Sequence, residues 1–220
     1  GEDANYRSLT VGKLILQEVK QRLTHKSMAM TQSDAAPLLP PIDNLQLLDT
    51  LDLDKNYSKK DYQDDLEKWQ GRLNLLSRHP KFKEHSVIAV FEGNDAAGKG
   101  GSIRRITAAL DARQYTIIPV AAPSEDERVQ PYLWRFWRHI PRKGRISIFD
   151  RSWYGRVLVE RVESFCQEHE WLRAYGELND FEEQLVEHGA IVVKFWLAIS
   201  KEEQLKRFQE REQIGFKRFK

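Results

Sequence analysis

Residues Val87–Arg105 read VIAVFEGNDAAGKGGSIRR, and this stretch decides the fold. It begins with five apolar residues, which predict a short buried strand, and ends in a segment whose apolar residues recur at helical spacing. Between them, Gly93 and Gly98-Lys99 have the spacing of a Walker A phosphate-binding loop. The stretch therefore predicts a strand, a phosphate loop and a helix in direct succession.

The composition of the loop suits close contact with phosphate oxygens. Several backbone N–H groups can reach one phosphate only if small side chains surround it, and the helix that follows turns its positive end to the same place. The Lys99 ammonium adds a point charge. The candidate phosphate-binding residues are Gly93, Asn94, Ala96, Ala97, Gly98, Gly100, Gly101 and Ser102. The alternative is a glycine-rich turn that binds no ligand.

The loop departs from the usual Walker A pattern after its lysine. Gly100 stands where a serine or threonine usually binds Mg²⁺, and Ser102 follows two residues later. The metal then needs another ligand, and Asp95 within the loop is the nearest candidate.

A second strand predicts the other half of the site. The strand predicted over Arg145–Phe149 is followed by Asp150-Arg151, which is the Walker B arrangement, with a carboxylate at the carboxyl edge of the sheet. Arg151 is placed to reach a phosphate. Alternatively, Asp150 at the end of the strand caps the helix that follows it.

Composition limits the class of protein. The chain has 220 residues, a net charge of +2 and one cysteine, Cys166, so no internal disulfide is expected. No apolar run has membrane length, so we expect a cytoplasmic protein without a membrane partner. Residues Pro131–Arg161 carry eight basic residues against two acidic ones, which predicts a polyanionic partner.

The flanking segments are predicted to be mainly helical. We expect helices over Ser8–Leu23, after Ser58, and over Trp171–His188, and a buried strand over Ala190–Ile199. The stripe of the second helix is expected to pack in the core. Its members are Tyr62, Leu66, Trp69, Leu73 and Leu76.

Two basic segments each allow two interpretations. Pro131–Ile140 alternates aromatic and basic residues: it is either a helix that buries Leu133, Trp134 and Trp137 and exposes Arg135 and Arg138, or a platform that stacks nucleic-acid bases. The first is favoured, and no nucleic-acid partner is expected. A helix starting at Ser200 carries Arg207 and Arg211 one turn apart, either solvated and paired with helix carboxylates or facing the phosphate site.

The motifs GNDAAGKGG, DRSWYGR and KEEQLKRFQER together resemble those of the family-2 polyphosphate kinases. This resemblance implies an α/β fold like that of thymidylate kinase, with three layers, a central mostly parallel sheet flanked by helices, and a helical lid. It implies Mg²⁺-dependent phosphoryl transfer between inorganic polyphosphate and a nucleoside mono- or diphosphate. By the same resemblance, Asp95 and Asp150 organise the metal, Lys99 and Arg151 bind the transferring phosphate, and Arg211 closes over it from the lid.

The resemblance also predicts the domain organisation. The start of the chain, GEDANYRSL, is similar to the stretch that follows the last strand in this family. We therefore expect residues 1–25 to be the tail of an upstream copy, 26–55 a linker, and 56–220 the kinase domain, with lid and last strand incomplete.

Such a tandem member of the family makes ADP from AMP, which is the expected reaction. An ATP-dependent nucleotide or nucleoside kinase and a non-catalytic module that binds polyphosphate or nucleic acid are the alternatives. A homo-oligomer is left open.

Overall fold

The computed structural model describes residues 47–53 and 58–213, which belong to one unit, Pro41–Lys220. The predicted helix over Ser8–Leu23 lies outside the described residues, and the division of the chain at 25 and 55 stays a prediction. No helix in the described ranges combines the length and apolar content needed to cross a bilayer.

A parallel sheet of four strands forms the centre of the described fold. Its strands are β1 (Ser86–Gly93), β2 (Tyr115–Pro119), β3 (Ile146–Asp150) and β4 (Ala190–Leu197), in the spatial order β2-β3-β1-β4. All three strand pairs are parallel. The predicted α/β class and the two strands expected to flank the site are therefore confirmed.

The strand pairing brings the carboxyl ends of the strands to one edge of the sheet. Phe91 in β1 pairs with Asp150 in β3, and Asp150 also pairs with Pro119 in β2. Strands β2 and β3 lie on one side of β1 in the sheet, and β4 lies on its other side. The loop after β1 therefore lies at the topological switch point, where α/β proteins bind ligands.

Helices surround the sheet, and most of the predicted ones are present. They are α1 (Lys59–Arg78), α2 (Lys99–Thr107), α3 (Glu125–Arg128), α4 (Trp134–Trp137), α5 (Glu168–Glu187) and α6 (Lys201–Glu212), with a 3₁₀ turn at Leu47–Thr50, another at Pro80–Glu84 and a π-helical turn at Arg156–Glu160. The hydroxyls of Ser58 and Ser200 accept hydrogen bonds from the third following backbone N–H at the starts of α1 and α6, as predicted.

Part of the predicted core is wrong. In α1, Leu66 and Leu73 are half-buried, but Tyr62, Trp69 and Leu76 are exposed, the last two by 56% and 59%, because the covering elements reach only one side of the helix. Strand β4 was expected to be buried, yet Ile191 is 45% exposed because β4 is an edge strand in the described sheet.

The aromatic and basic segment is structural, but its buried face differs from the predicted one. Phe136 is the buried ring, whereas Trp134 and Trp137 remain partly exposed. Arg135 was expected to be exposed. It is instead nearly buried, since its guanidinium donates to the Ala121 carbonyl at 2.8 Å and lies 3.3 Å from the Glu127 carboxylate.

An aromatic cluster fills one side of the sheet. Trp153 is fully buried, and its ring lies edge-on to those of Phe136, Phe149 and Phe181 at centroid distances of 5.9, 5.4 and 4.9 Å. Such pairs add to the energy of burial alone. Because Trp153 follows Asp150 by three residues, this cluster anchors the segment that leaves β3.

Truncating this cluster should be costly. We expect Phe181→Ala to lower the free energy of unfolding by about 3 to 5 kcal/mol, because a fully buried ring is replaced by a cavity. Phe165→Ala, at a side chain that is 73% exposed, is the matched control and should change it by less than about 0.5 kcal/mol. Urea unfolding measures both, and equal effects would contradict the assigned core.

Candidate phosphoryl-transfer site

The loop after β1 requires glycine at two positions. An added Cβ at Gly93 would lie 2.1 Å from the carbonyl oxygen of Leu197, since β1 and β4 approach each other closely there. Gly98 has φ 104° immediately before α2, a conformation that side chains rarely adopt. Between them, Ala96 also has a positive φ of 62°. The loop is thus a specific backbone conformation that leads directly into the start of α2.

Lys99 lies across this loop. Its Nζ donates to the carbonyl oxygens of Gly93 and Asn94, at 2.7 and 3.0 Å. Burial lowers the pKa of the Lys99 ammonium, and Arg151 lowers this pKa further, against the opposing effect of nearby carboxylates. The ammonium is therefore held against two backbone carbonyls of the loop.

One cavity of about 710 Å³ unites most of the predicted site residues; we call it the loop cavity. Its lining includes Asp95, Ala96, Ala97, Gly98, Lys99, Gly100, Gly101, Asp150, Arg151 and Arg211 from the predicted set, together with Arg104, Pro119 and Val120. Gly93, Asn94 and Ser102 do not line it. The first two bind Lys99 through their carbonyls, and the Ser102 N–H donates to the Gly98 carbonyl within the helix.

The two candidate metal ligands both reach this cavity. Asp95 and Asp150 line it from the loop and from the end of β3. One oxygen of Asp95 accepts the backbone N–H of Ala96 at 2.8 Å, which orients the carboxylate. Two carboxylates suit Mg²⁺, which commonly binds one or two protein oxygens together with substrate phosphates. In the described ranges no cluster of three or more acidic, histidine or cysteine side chains offers a denser metal site.

The turn after β3 holds Arg151 in an unusual conformation. Arg151 has φ 68°, and its backbone N–H donates to the Phe91 carbonyl at 3.0 Å. The next residue, Ser152, is buried, and its hydroxyl donates to the Glu92 carboxylate at 2.6 Å. These two bonds connect the end of β1 to the turn that carries Arg151.

Comparison with known proteins agrees with this architecture. The family model for polyphosphate kinase 2 matches residues 56–220. The chain belongs to the polyphosphate kinase 2 family.

Relatives of the chain within this family are named as phosphotransferases. The polyphosphate:AMP phosphotransferase of Pseudomonas aeruginosa is 60% identical over all of this chain, and that of Acinetobacter johnsonii is 41% identical. A crystal structure from Pseudomonas aeruginosa described as a polyphosphate kinase 2 superposes with a TM-score of 0.84 at 57% identity, over 99% of this chain and 44% of that one. The chain likewise spans 44% of the length of both curated relatives.

In this polyphosphate kinase 2 chain, α6 contacts the phosphate loop directly. The Gln204 amide donates to the Asp95 carbonyl and the Arg207 guanidinium to the Ala96 carbonyl, both at 2.9 Å. Arg207 also donates to Glu203 at 2.7 Å, so the predicted ion pair is present but is only part of its role. One turn later, Arg211 lines the cavity.

Sequence reasoning missed three residues of this site, Glu92, Arg104 and Gln204. Glu92 could have been noticed as a carboxylate at the end of an apolar strand, and Arg104 as a cation on the first turns of α2. The contact of Gln204 with the loop had no local signal, because it depends on how α6 packs against a segment more than a hundred residues earlier.

Arg207 should support phosphate binding by holding the loop. Arg207→Ala should weaken binding of tripolyphosphate by about tenfold or more, because the Ala96 carbonyl loses a charged donor. Lys206→Ala, which removes a neighbouring exposed cation on the same helix, is the control and should have little effect. Calorimetric titration measures both, and equal weakening by the two variants would show that only the charge matters.

Glu92 should make stability depend on pH. Burial raises the pKa of Glu92 above its usual 4.5, against the lowering effect of the Ser152 hydrogen bond and of Lys99. Between pH 4.5 and the folded-state pKa, the folded state holds a proton that the unfolded state has released. The contribution of Glu92 to the free energy of unfolding is therefore fully present below pH 4.5 and is lost as the pH rises through the folded-state pKa. Glu92→Gln should therefore gain stability relative to the natural protein across that window.

Urea unfolding at closely spaced pH values measures the difference. Glu67→Gln, on the exposed side of α1, controls for the loss of one carboxylate. A difference between Glu92→Gln and the natural protein that does not change with pH would refute the assignment.

Proposed function

We propose that this chain forms a kinase unit that transfers the terminal phosphoryl group of inorganic polyphosphate to AMP and yields ADP. The observation that carries the proposal is the loop cavity, where Lys99, Arg151 and Arg211 from three separate elements meet two carboxylates at the carboxyl edge of the sheet. The AMP acceptor is supported by the names of relatives that match over the whole chain. This chain spans less than half the length of those relatives, so the activity named for the whole of each relative is proposed for this chain.

In phosphoryl transfer the protein mainly positions the two substrates and neutralises the charge of the phosphate oxygens. The terminal phosphoryl lies against the loop N–H groups, and an oxygen of the AMP phosphate attacks its phosphorus in line. A new P–O bond forms as the bond to the next phosphate breaks, and the shortened polymer keeps the bridging oxygen. The attacking oxygen is already ionised, so a strong general base is unnecessary.

Lys99 acts as a preorganised charge in this scheme. When a phosphate oxygen takes the place of the loop carbonyls, the ammonium stays close to its position against Gly93 and Asn94. An anionic ligand also opposes the lowering of the Lys99 pKa by burial and by Arg151. Arg151, from the turn after β3, and Arg211, from α6, supply further positive charge, and Arg104 lines the same cavity.

Asp95 and Asp150 are the residues that would hold Mg²⁺. Their carboxylate oxygens are hard ligands, and both line the cavity in which the phosphates would lie. When bound, the ion would neutralise charge on the phosphate oxygens. Asp95 would then bind the metal in place of the serine or threonine hydroxyl that usually stands at the position of Gly100.

The choice between donors and acceptors can be tested directly. We expect the full-length natural protein with Mg²⁺ to form ADP from polyphosphate and AMP in the absence of ATP, as separated by chromatography. Parallel tubes with ADP as acceptor, and with ATP as donor, test the nearest alternatives. No product from polyphosphate with either acceptor would defeat the proposal, and polyphosphate binding without turnover would favour a non-catalytic module.

The role of Lys99 gives a quantitative check. Lys99→Ala should lower kcat by a factor of about 100 to 1,000, since a single preorganised donor to a transferring group contributes about 3 to 4 kcal/mol. Lys81→Ala, in the exposed 3₁₀ turn before β1, is the control and should retain activity. Near-normal turnover by Lys99→Ala would show that the lysine has been assigned wrongly.

A further inference from the structure

A second cavity, of about 320 Å³, lies at the amino ends of strands β2 and β3, opposite the carboxyl ends that line the loop cavity. Its lining includes Tyr115 and Ile146, the first residues of β2 and β3, whereas the loop cavity is lined by Pro119 and Asp150, the last residues of the same strands. The two cavities therefore lie at opposite ends of one strand pair. We call the second one the arginine cavity.

Its charge is one-sided. Four arginines line it, and no aspartate or glutamate does; they are Arg113, Arg138, Arg142 and Arg145. Arg113 is paired with Asp111 at 2.8 Å, but within residues 58–213 no ion pair is formed by Arg138, Arg142 or Arg145. Clustered cations repel one another, so such an arrangement is favourable when an anion joins it. Guanidinium groups suit phosphate because they donate in pairs.

A histidine lies beside these arginines. His139 also lines the cavity. Burial lowers the pKa of its imidazole, and Arg138 and Arg135 lower this pKa further, while Glu127 on α3 opposes them. Of the four arginines that line the cavity, Arg138 is the one whose charge lowers the pKa of His139.

Strand β2 connects the two cavities. Tyr115, Thr116 and Ile118 line the arginine cavity, and the next residues, Pro119 and Val120, line the loop cavity. Strand β2 is an edge strand of the described sheet, and several of its side chains are exposed. The strand spans about 13 Å at the usual rise per residue. A flexible linear polyanion following this edge would meet both cavities.

We propose that the arginine cavity is a second phosphate-binding site, which holds the distal part of the polyphosphate chain whose end lies in the loop cavity. This inference rests on the proposed function. It explains why the basic excess of residues 131–161 is divided, with Arg151 at the site of transfer and Arg142 and Arg145 at the far edge. It also predicts that the protein distinguishes donors by length, because tripolyphosphate is too short to occupy both cavities.

The test compares long-chain polyphosphate with tripolyphosphate as donors for the full-length natural protein. Arg142→Ala/Arg145→Ala should lower kcat/KM for the long chain by about tenfold through KM, because two phosphate-binding cations are lost. With tripolyphosphate the same variant should stay within about twofold of the natural protein, since the loop cavity is unchanged. Arg142→Lys/Arg145→Lys, which keeps the charges, should retain most of the long-chain preference.

A charge-matched control separates this effect from a general loss of positive charge. Lys68→Ala/Arg72→Ala removes two cations from α1, and neither residue lines a cavity described above. It should leave the ratio of the two kcat/KM values unchanged. If Arg142→Ala/Arg145→Ala leaves that ratio unchanged, or lowers both values equally, the inference is overturned while the proposed function stands.

A binding measurement decides the inference even without turnover. Fluorescence anisotropy of labelled long-chain polyphosphate should show weaker binding and a shallower dependence on salt for Arg142→Ala/Arg145→Ala than for the natural protein. Failure of the natural protein to transfer phosphate from either donor would instead refute the proposed function. Equal affinity and equal salt dependence of the two proteins would overturn the second site.

Discussion

The site depends on the register between β1 and β3. Because Phe91 pairs with Asp150, the two strands end at the same level, and the phosphate loop and the Asp150-Arg151 turn face one cavity. A slip of one residue would exchange the faces of every side chain in a strand. Packing on both faces opposes such a slip, since Val90 and Phe149 are buried on one side and Phe91 is buried on the other.

Register alone does not fix the conformation of the loops. Ala96 and Arg151 both have positive φ, which costs about 1 to 3 kcal/mol for a residue other than glycine. Each is held by a hydrogen bond to a residue elsewhere in the fold: the Arg207 guanidinium donates to the Ala96 carbonyl, and the Arg151 N–H donates to the Phe91 carbonyl. The conformation of both loops is therefore maintained by tertiary contacts, and α6 carries one of them together with Arg211, which lines the cavity.

Local signals explain what the sequence could predict. The strand, loop and helix around Lys99, and the strand ending at Asp150, follow from periodicity and glycine spacing, which need no knowledge of distant residues. Burial was harder to predict because it depends on which elements cover a surface. Trp69 lies on a regular helical stripe yet is exposed, and Arg135 looks like a surface residue yet is nearly buried against Glu127. The contact of Gln204 with the loop has the same origin, because its partners are distant in sequence.

The two cavities differ in charge in a way that matches different chemistry. A cavity where a phosphoryl group is transferred needs carboxylates to hold a metal beside the cations, and the loop cavity contains both, with Asp95 and Asp150 next to Lys99. A cavity that only binds a polyanion needs no metal ligand, and a carboxylate there would repel the chain. The arginine cavity has this simpler composition. The fold thus separates members of the basic segment that the sequence presents as one feature: Arg151 lines the loop cavity, whereas Arg138, Arg142 and Arg145 line the arginine cavity.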